Sequence, residues 1–422
     1  MIEINPILID LIFITAQLFL FLINYKKFKQ LLHPATLFSF VWMSVIVVHF
    51  VSRFTVLPLL YPLSLTAYLI FLTGCIVFAA SAAVVDISNH DRTINLRQHN
   101  FVEISLLLRI GILSIIVIGL PFYVQAAYRV FIASKIDDFL VGLRTELAYG
   151  DEDLGPVKYL LSFSFVVFAV NLYALLKEKS IVNKILFFIN LIVTTVYAVL
   201  ATGRTFFFML LVIYMGIAFM INRRSSIKKY ALIVGSFILL FMIIGIVYGK
   251  GGNTDESSKS NILSASEVTA SYIVTPLNAF DQEIETKKEP KFTGDNSLRF
   301  FIKIGQALGF TESHKETSLI QDFVLVPYPT NVYTYYSTYK KDFGIIYAII
   351  MLMIFAGLHT WLYNKAWQTS SLRYILYYSF LLYPLLISFF QDQYMSLFST
   401  WLQFVFYIEA ILFVNKFVTR KQ

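Results

Sequence analysis

Long apolar runs recur from one end of the chain to the other, and short polar breaks separate them. Each run is near the 20 or so residues that carry an α-helix across a hydrocarbon core of about 30 Å. The pattern predicts about eleven spans, at 6–24, 34–51, 57–85, 101–125, 157–176, 184–201, 205–221, 230–248, 343–363, 372–390 and 395–414. The stretch 57–85 is long enough to be tilted, or broken near Pro58 and Pro62. The expected fold is an all-α polytopic integral membrane protein. Residues 1–248 hold the first eight spans, 249–342 a large extracytoplasmic loop and 343–422 the last three.

Composition agrees. The 422 residues are 58% hydrophobic and 14% charged, with a mean hydropathy of +0.70, whereas soluble domains carry roughly 25% charge. A net charge of +8 raises the question of nucleic acid, but the basic residues are spread over short connections instead of forming a stripe among stacking aromatics. Membrane topology accounts for them better. With the N-terminus outside and the C-terminus cytoplasmic, the cytoplasmic connections hold 17 Lys and Arg against 6 in the short outer ones, the bias that orients membrane proteins. Glu3 and Asp10 precede the first apolar run and Lys26, Lys27 and Lys29 follow it, the reverse of a signal peptide, so a retained helix is expected. The single cysteine, Cys75, rules out a disulfide within the chain and a cysteine-based metal site.

Two outer segments exceed simple turns. In 126–156, Ile132, Ile136, Phe139, Leu140 and Leu143 stand at helix-like spacing, which predicts an amphipathic helix on the outer surface. In 249–342, a Gly- and Ser-rich linker over 249–261 precedes short helices at 266–284 and 296–310.

Familiar catalytic signatures are missing: no Walker loop, no HExxH, no GxSxG, and the six histidines are scattered, so no metal or cofactor is expected. Asp151 and Asp153 form a D-x-D, better read as a solvated acidic turn than as a metal-nucleotide site. Arginines carry more. Arg204, in "ATGRTFFF", sits in a hairpin of a few residues at the membrane boundary, either snorkelling to headgroups or offering a fixed fork to a diphosphate. Arg144 falls in the surface-helix segment, and Arg299 and Lys303, four apart on a helix, share a face that suits an anion or plain solvent. Arg109 lies inside a span, a functional candidate unless it snorkels.

The stretch "VPYPTNVYTYYSTYKKDFG" (326–344) concentrates Tyr328, Tyr333, Tyr335, Tyr336 and Tyr339 beside Asn331 and Asp342 on a polar loop. Tyrosine suits both a membrane interface and the CH-rich face of a sugar ring. Belt packing explains Tyr339; the proline-punctuated turn and its polar neighbours favour a sugar-facing wall.

Taken together, "PTNVYTYYSTYKKDFG", "GLRTELAYGDEDLGPVKYL", "ATGRTFFF" and "FTGDNSLRFFIKIGQALG" resemble the bacterial oligosaccharide repeat-unit polymerases, the Wzy-type family that includes O-antigen polymerases. The second matches a pattern of arginine, ten residues and glycine in Arg144 and Gly155; the fourth has nine residues between Arg299 and Gly309. The resemblance implies a membrane glycosyltransferase at the outer face of the bacterial cytoplasmic membrane, with polyprenyl-diphosphate-linked oligosaccharide as donor and acceptor. It implies a chain-length regulator and a flippase as partners, and neither nucleotide sugar nor nucleic acid. Arg204 and Arg144, with Arg299 and Lys303, are then the expected diphosphate clamp, Asp322 or His314 the expected general base, and Tyr328, Asn331, Tyr333, Tyr335, Tyr336 and Asp342 the expected sugar contacts. An O-antigen ligase, a lipid-oligosaccharide flippase and a non-catalytic membrane scaffold are the alternatives.

Overall fold

A computed structural model describes residues 5–90, 104–223, 261–286, 289–310 and 321–419. The helices are α1 (Pro6–Phe28), α2 (Pro34–Phe54), α3 (Leu65–His90), α4 (Leu106–Ser134), α5 (Phe139–Tyr149), α6 (Tyr159–Lys177), α7 (Ile181–Leu200), α8 (Arg204–Asn222), α9 (Asn261–Glu285), α10 (Arg299–Ala307), α11 (Tyr335–Phe343), α12 (Ile345–Thr369), α13 (Leu372–Leu386) and α14 (Phe398–Thr419). One two-stranded antiparallel ribbon, β1 (Val324–Leu325) with β2 (Pro329–Thr330), stands before α11.

Among the described residues nine helices are long and apolar enough to cross a membrane, so the chain is a multi-pass membrane protein of almost purely helical build. They coincide with nine of the expected spans. The expected span at 230–248 lies outside the described residues. At 372–390 the regular helix is shorter than the expected span: α13 has 15 residues, a rise of about 22 Å at 1.5 Å each, and turns at 387–390 continue the stretch. Pro58 and Pro62 do not break a helix; they precede α3, which starts at Leu65. Local chemistry sets several starts. Pro6 and Pro34 occupy first helical positions, where a missing N–H costs nothing, and the Asn5 and His33 side chains accept from Ile7 N and Ala35 N.

The helix expected within 126–156 is narrowed to its second half. The spanning helix α4 continues to Ser134, the chain turns through Lys135 at φ 55°, and only Phe139–Tyr149 forms a separate helix, capped by Asp138. Gly155 follows at φ +62°, a backbone conformation that favours glycine, and opens a 3₁₀ turn into α6.

The described residues divide into two compact units. The first draws on 1–95, 251–364 and 384–398, the second on 96–250, 365–383 and 399–422. In the first, an aromatic core joins spanning helices to the large loop: Trp42 meets Phe71 and Tyr336, and Phe280 of α9 meets both Phe71 and Tyr336 at centroid separations of 4.8–5.7 Å. Asp10 within α1 pairs with Arg53 and accepts from the Tyr68 hydroxyl. In the second, α6 and α7 form a hairpin against α4, with the Tyr197 hydroxyl donating to the Ile116 carbonyl at 2.8 Å and Arg109 donating to Asn183 at 2.7 Å. Glu409 is paired there with Arg373 and Tyr377. Each of these intramembrane charges thus has a partner in its own helix bundle, which suits interhelical attachment.

Candidate functional site

In the first unit, α9 is held to the spanning helices by polar contacts far apart in sequence. The Asn278 side chain meets His49 at 2.9 Å and donates to the Tyr61 carbonyl, while Asp281 accepts the backbone N–H and hydroxyl of Ser64. Ser64 in turn caps α3 through Ala67 N, so one carboxylate fixes the start of a span. Burial pushes the Asp281 carboxyl above its ordinary value, against the pull of the Ser64 hydrogen bonds.

Two residues further along α9, Glu283 is 8% exposed. It accepts from Ser337 Oγ at 2.5 Å and pairs with Lys340 at 3.3 Å and Lys341 at 3.5 Å, both on α11. The Lys341 ammonium also contacts Gln321 and lies 4.2 Å from the centroid of the Tyr333 ring. Glu283, Gln321, Tyr333, Lys340 and Lys341 line a cavity of about 610 Å³, together with Asn296, Lys291 and Asp322, within the size range of small-molecule sites. The Tyr333 hydroxyl reaches the Asp322 carbonyl at 3.4 Å, and burial, with Glu283 and Asp322 nearby, pushes its pKa up to about 12. Tyr333 therefore stays a neutral hydrogen-bonding group at physiological pH.

The loop before α10 is fastened by Asp342. Fully buried near the end of α11, it accepts from Asn296 N, Asn296 Nδ2, Ser297 N and Ser297 Oγ at 2.6–3.2 Å. The face of α11 away from Ser337, Lys340 and Lys341 meets the segment 387–397. The Tyr335 N–H donates to the Ser388 carbonyl, and the Tyr339 hydroxyl donates at 2.9 Å to buried Asp392, which also caps Tyr394 and Ser396. Burial raises the Asp392 carboxyl too.

This arrangement revises the expected sugar-facing wall. The second half of the tyrosine stretch is a helix, and Tyr335, Tyr336, Tyr339 and Asp342 are closed off from solvent. Their rings are core: Tyr335 and Tyr339 lie 4.6 Å apart, and the Tyr336 hydroxyl, without a hydrogen-bond partner among the described residues, stands over Gly74. Tyr328 and Asn331 are half-buried, Tyr328 against the cluster of Leu57, Leu60 and Val274. Only Tyr333 of the five tyrosines lines the cavity. Asp322 is exposed at its rim; His314 lies outside the described residues.

The basic candidates fall into two groups. Arg299 and Lys303 belong to the first unit, on α10, which brings them to one helical face as their spacing predicts. Arg144, half-buried on α5, and Arg204, the first residue of α8 after the turn at Ala201–Thr202, belong to the second. In the D-x-D turn Asp153 pairs with exposed Lys158 at 2.7 Å, and Glu152 with Arg129.

Sequence reasoning missed Glu283, Lys340, Lys341 and Gln321. The signal was partial: Lys340 and Lys341 sit inside the quoted tyrosine stretch, but the carboxylate that pairs with them is 57 residues away from Lys340.

No family model matches the chain, and no solved structure matches it. Two curated proteins do. One from Shigella dysenteriae, named "O-antigen polymerase", is 30% identical over 217 residues, covering 51% of this chain and 52% of that protein. One from Escherichia coli (strain K12), named "Putative O-antigen polymerase", is 23% identical over 249 residues, 58% of each. The chain thus spans about half the length of the curated relatives it matches. The resemblance to O-antigen polymerases read from the arginine and tyrosine stretches is accordingly the resemblance these relatives carry in their names.

Proposed function

We propose that the chain polymerises oligosaccharide repeat units carried on a polyprenyl diphosphate, by glycosyl transfer at the outer face of the bacterial cytoplasmic membrane. The observation that carries this reading is the cavity of Glu283, Gln321, Tyr333, Lys340 and Lys341 between α9 and α11, in a multi-pass chain similar to proteins named O-antigen polymerase.

In this reading the cavity takes sugar. Gln321, Asn296 and the Tyr333 hydroxyl offer donors and acceptors for sugar hydroxyls, and the tyrosine ring offers an apolar edge. Glu283 acts as a positioning residue: three donors already occupy its carboxylate, so it orders Lys340, Lys341 and Ser337 around the glycan. Asp322 at the rim, or His314, takes the proton of the acceptor hydroxyl. The acceptor oxygen bonds to the anomeric carbon while the bond from that carbon to the diphosphate oxygen breaks, and negative charge grows on the leaving diphosphate. Cations placed beforehand stabilise that charge more in the transition state than in the ground state, the role we assign to Arg144 and Arg204, with Arg299 and Lys303 as further cations.

Sizing lipid-linked glycans from cells with and without the protein tests this. Loss of all chains longer than one repeat unit is expected in its absence, and a large loss with Arg204→Lys or Glu283→Gln at normal protein levels. Long lipid-linked chains accumulating unattached would instead identify a ligase, and unchanged glycans would overturn the reading.

A further inference from the structure

Helix α10 has an apolar face that the described residues leave uncovered. Over Arg299–Ala307 and the turn that follows, Phe300, Phe301, Ile304 and Leu308 fall on one side, with Arg299, Lys303 and Gln306 on the other. Phe301, Ile304 and Leu308, with neighbouring Phe292 and Phe310, are 41–80% exposed. Five large apolar side chains in one short stretch mark an interaction surface more than scatter does.

The helix's anchors say what covers it. Phe300 and Phe301 contact Phe398 at 5.3 and 5.2 Å between centroids, and Phe398 is the first residue of the candidate span Phe398–Thr419. Phe292 contacts Phe343, two residues before the candidate span Ile345–Thr369 begins. Two separate contacts therefore tie α10 and its approach to the ends of membrane-crossing helices, the depth at which headgroups give way to acyl chains. The clasp from Asp342 to Asn296 and Ser297 fixes the turn just before the helix, so this height is set by the same α11 that lines the cavity.

We infer that α10 lies in the interface of the bilayer, with Ile304, Leu308 and Phe310 among phospholipid acyl chains and Arg299 and Lys303 at headgroup level. An amphipathic helix with cations on its polar side and phenylalanine on the other binds in this way, and the long basic side chains reach the phosphates by snorkelling. The occupant of the apolar face is bulk phospholipid, so the inference does not depend on the glycan reading. Its consequence for the first unit is that the loop is attached to the membrane between its spans as well as at its ends.

Spin labelling of the full-length protein tests this. Ile304→Cys and Leu308→Cys, with Gln306→Cys as the opposite-face reference, are each labelled with a nitroxide and reconstituted in phosphatidylethanolamine–phosphatidylglycerol vesicles free of polyprenyl lipid. Cys75, which is buried, is left in place, and Cys75→Ser provides a second background. Collisions with oxygen, which concentrates in lipid, are expected to exceed those with a water-soluble nickel chelate several-fold at 304 and 308, with the order reversed at 306. Nickel access at 304 and 308 equal to that at 306 would place the face in water and overturn the inference. Shielding of 304 and 308 from both reagents would also overturn it, because the cover would then be protein, either a second copy or another chain.

Discussion

Two segments outside the membrane spans, 135–154 and 261–343, are held by opposite means. In the first, the carboxylates act on their own neighbourhood: Asp138 caps Val141, Glu146 accepts from the N–H groups of Asp151 and Glu152, and Asp153 takes Gly155 N and Lys158. In the second they act at a distance. Asp281 reaches Ser64 across 217 positions, Glu283 reaches Ser337 across 54, and Asp342 reaches Ser297 across 45. In the first set Asp138 and Asp153 are exposed and Glu146 is half-buried, whereas the second set is buried. A buried donor deprived of its acceptor loses its full hydration, whereas an exposed one turns to water. The long-range segment is therefore the one whose architecture single substitutions can dismantle.

The largest effect is expected at Asp342. Replacing it by alanine leaves the donors of Asn296 and Ser297 unmatched and should cost about 3–5 kcal/mol, seen as a lower melting temperature and faster proteolysis within 289–310. Next comes Gly74→Ala. Its new methyl would sit 1.8 Å from the Tyr336 hydroxyl, and overpacking of this kind costs about 1–3 kcal/mol. Tyr336→Phe alone should be nearly neutral, because that hydroxyl has no partner among the described residues, and should partly rescue Gly74→Ala in a double-mutant cycle. Glu283→Gln should lose about 1–2 kcal/mol, less than Asp342→Ala because Lys341 retains Gln321 and the Tyr333 ring. In the local segment, Lys158→Ala should change stability by no more than about 0.5 kcal/mol; a drop comparable to that of Asp342→Ala would erase the distinction.

Acidity provides a smaller but sharper contrast. Burial raises the folded-state carboxyls of Asp281 and Asp392 above the ordinary 3.8, so the folded state binds their protons more tightly than the unfolded one. Their contribution is full below 3.8 and falls as pH rises from there through the raised values. Asp153 is lowered, first by its hydrogen bond to Lys158; its contribution is full above 3.8 and is lost as pH falls through the lowered value. Hydrogen exchange followed on mild acidification should show protection at α9 and at 392–396 holding or improving, with no loss at 153–158 until pH drops below about 3.8.

This contrast also separates what the sequence displayed from what it concealed. Hydrophobic runs of membrane length gave nine spans among the described residues because that signal is local and repeats with the chain. The shared face of Arg299 and Lys303 follows from spacing alone, and the glycine of the Arg144–Gly155 pattern sits where φ is +62°. The inward turn of Tyr335, Tyr336 and Tyr339 was hidden. Their ring partners include Trp42, Phe71 and Tyr394, up to 294 positions away, and a tyrosine bound for a core reads the same as one bound for a sugar. Glu283 was hidden for the same reason, since nothing near it in sequence announces Lys340.

The Asp342 clasp closes a circuit of 45 residues between Ser297 and itself. A covalent cross-link around a ring of that length would contribute about 4 kcal/mol by constraining the unfolded chain, but a chain with one cysteine has no such bond available. Hydrogen bonds to a single carboxylate take its place. The ring can therefore close without an oxidant, reopen without a reductant, and form equally well on either side of a redox boundary.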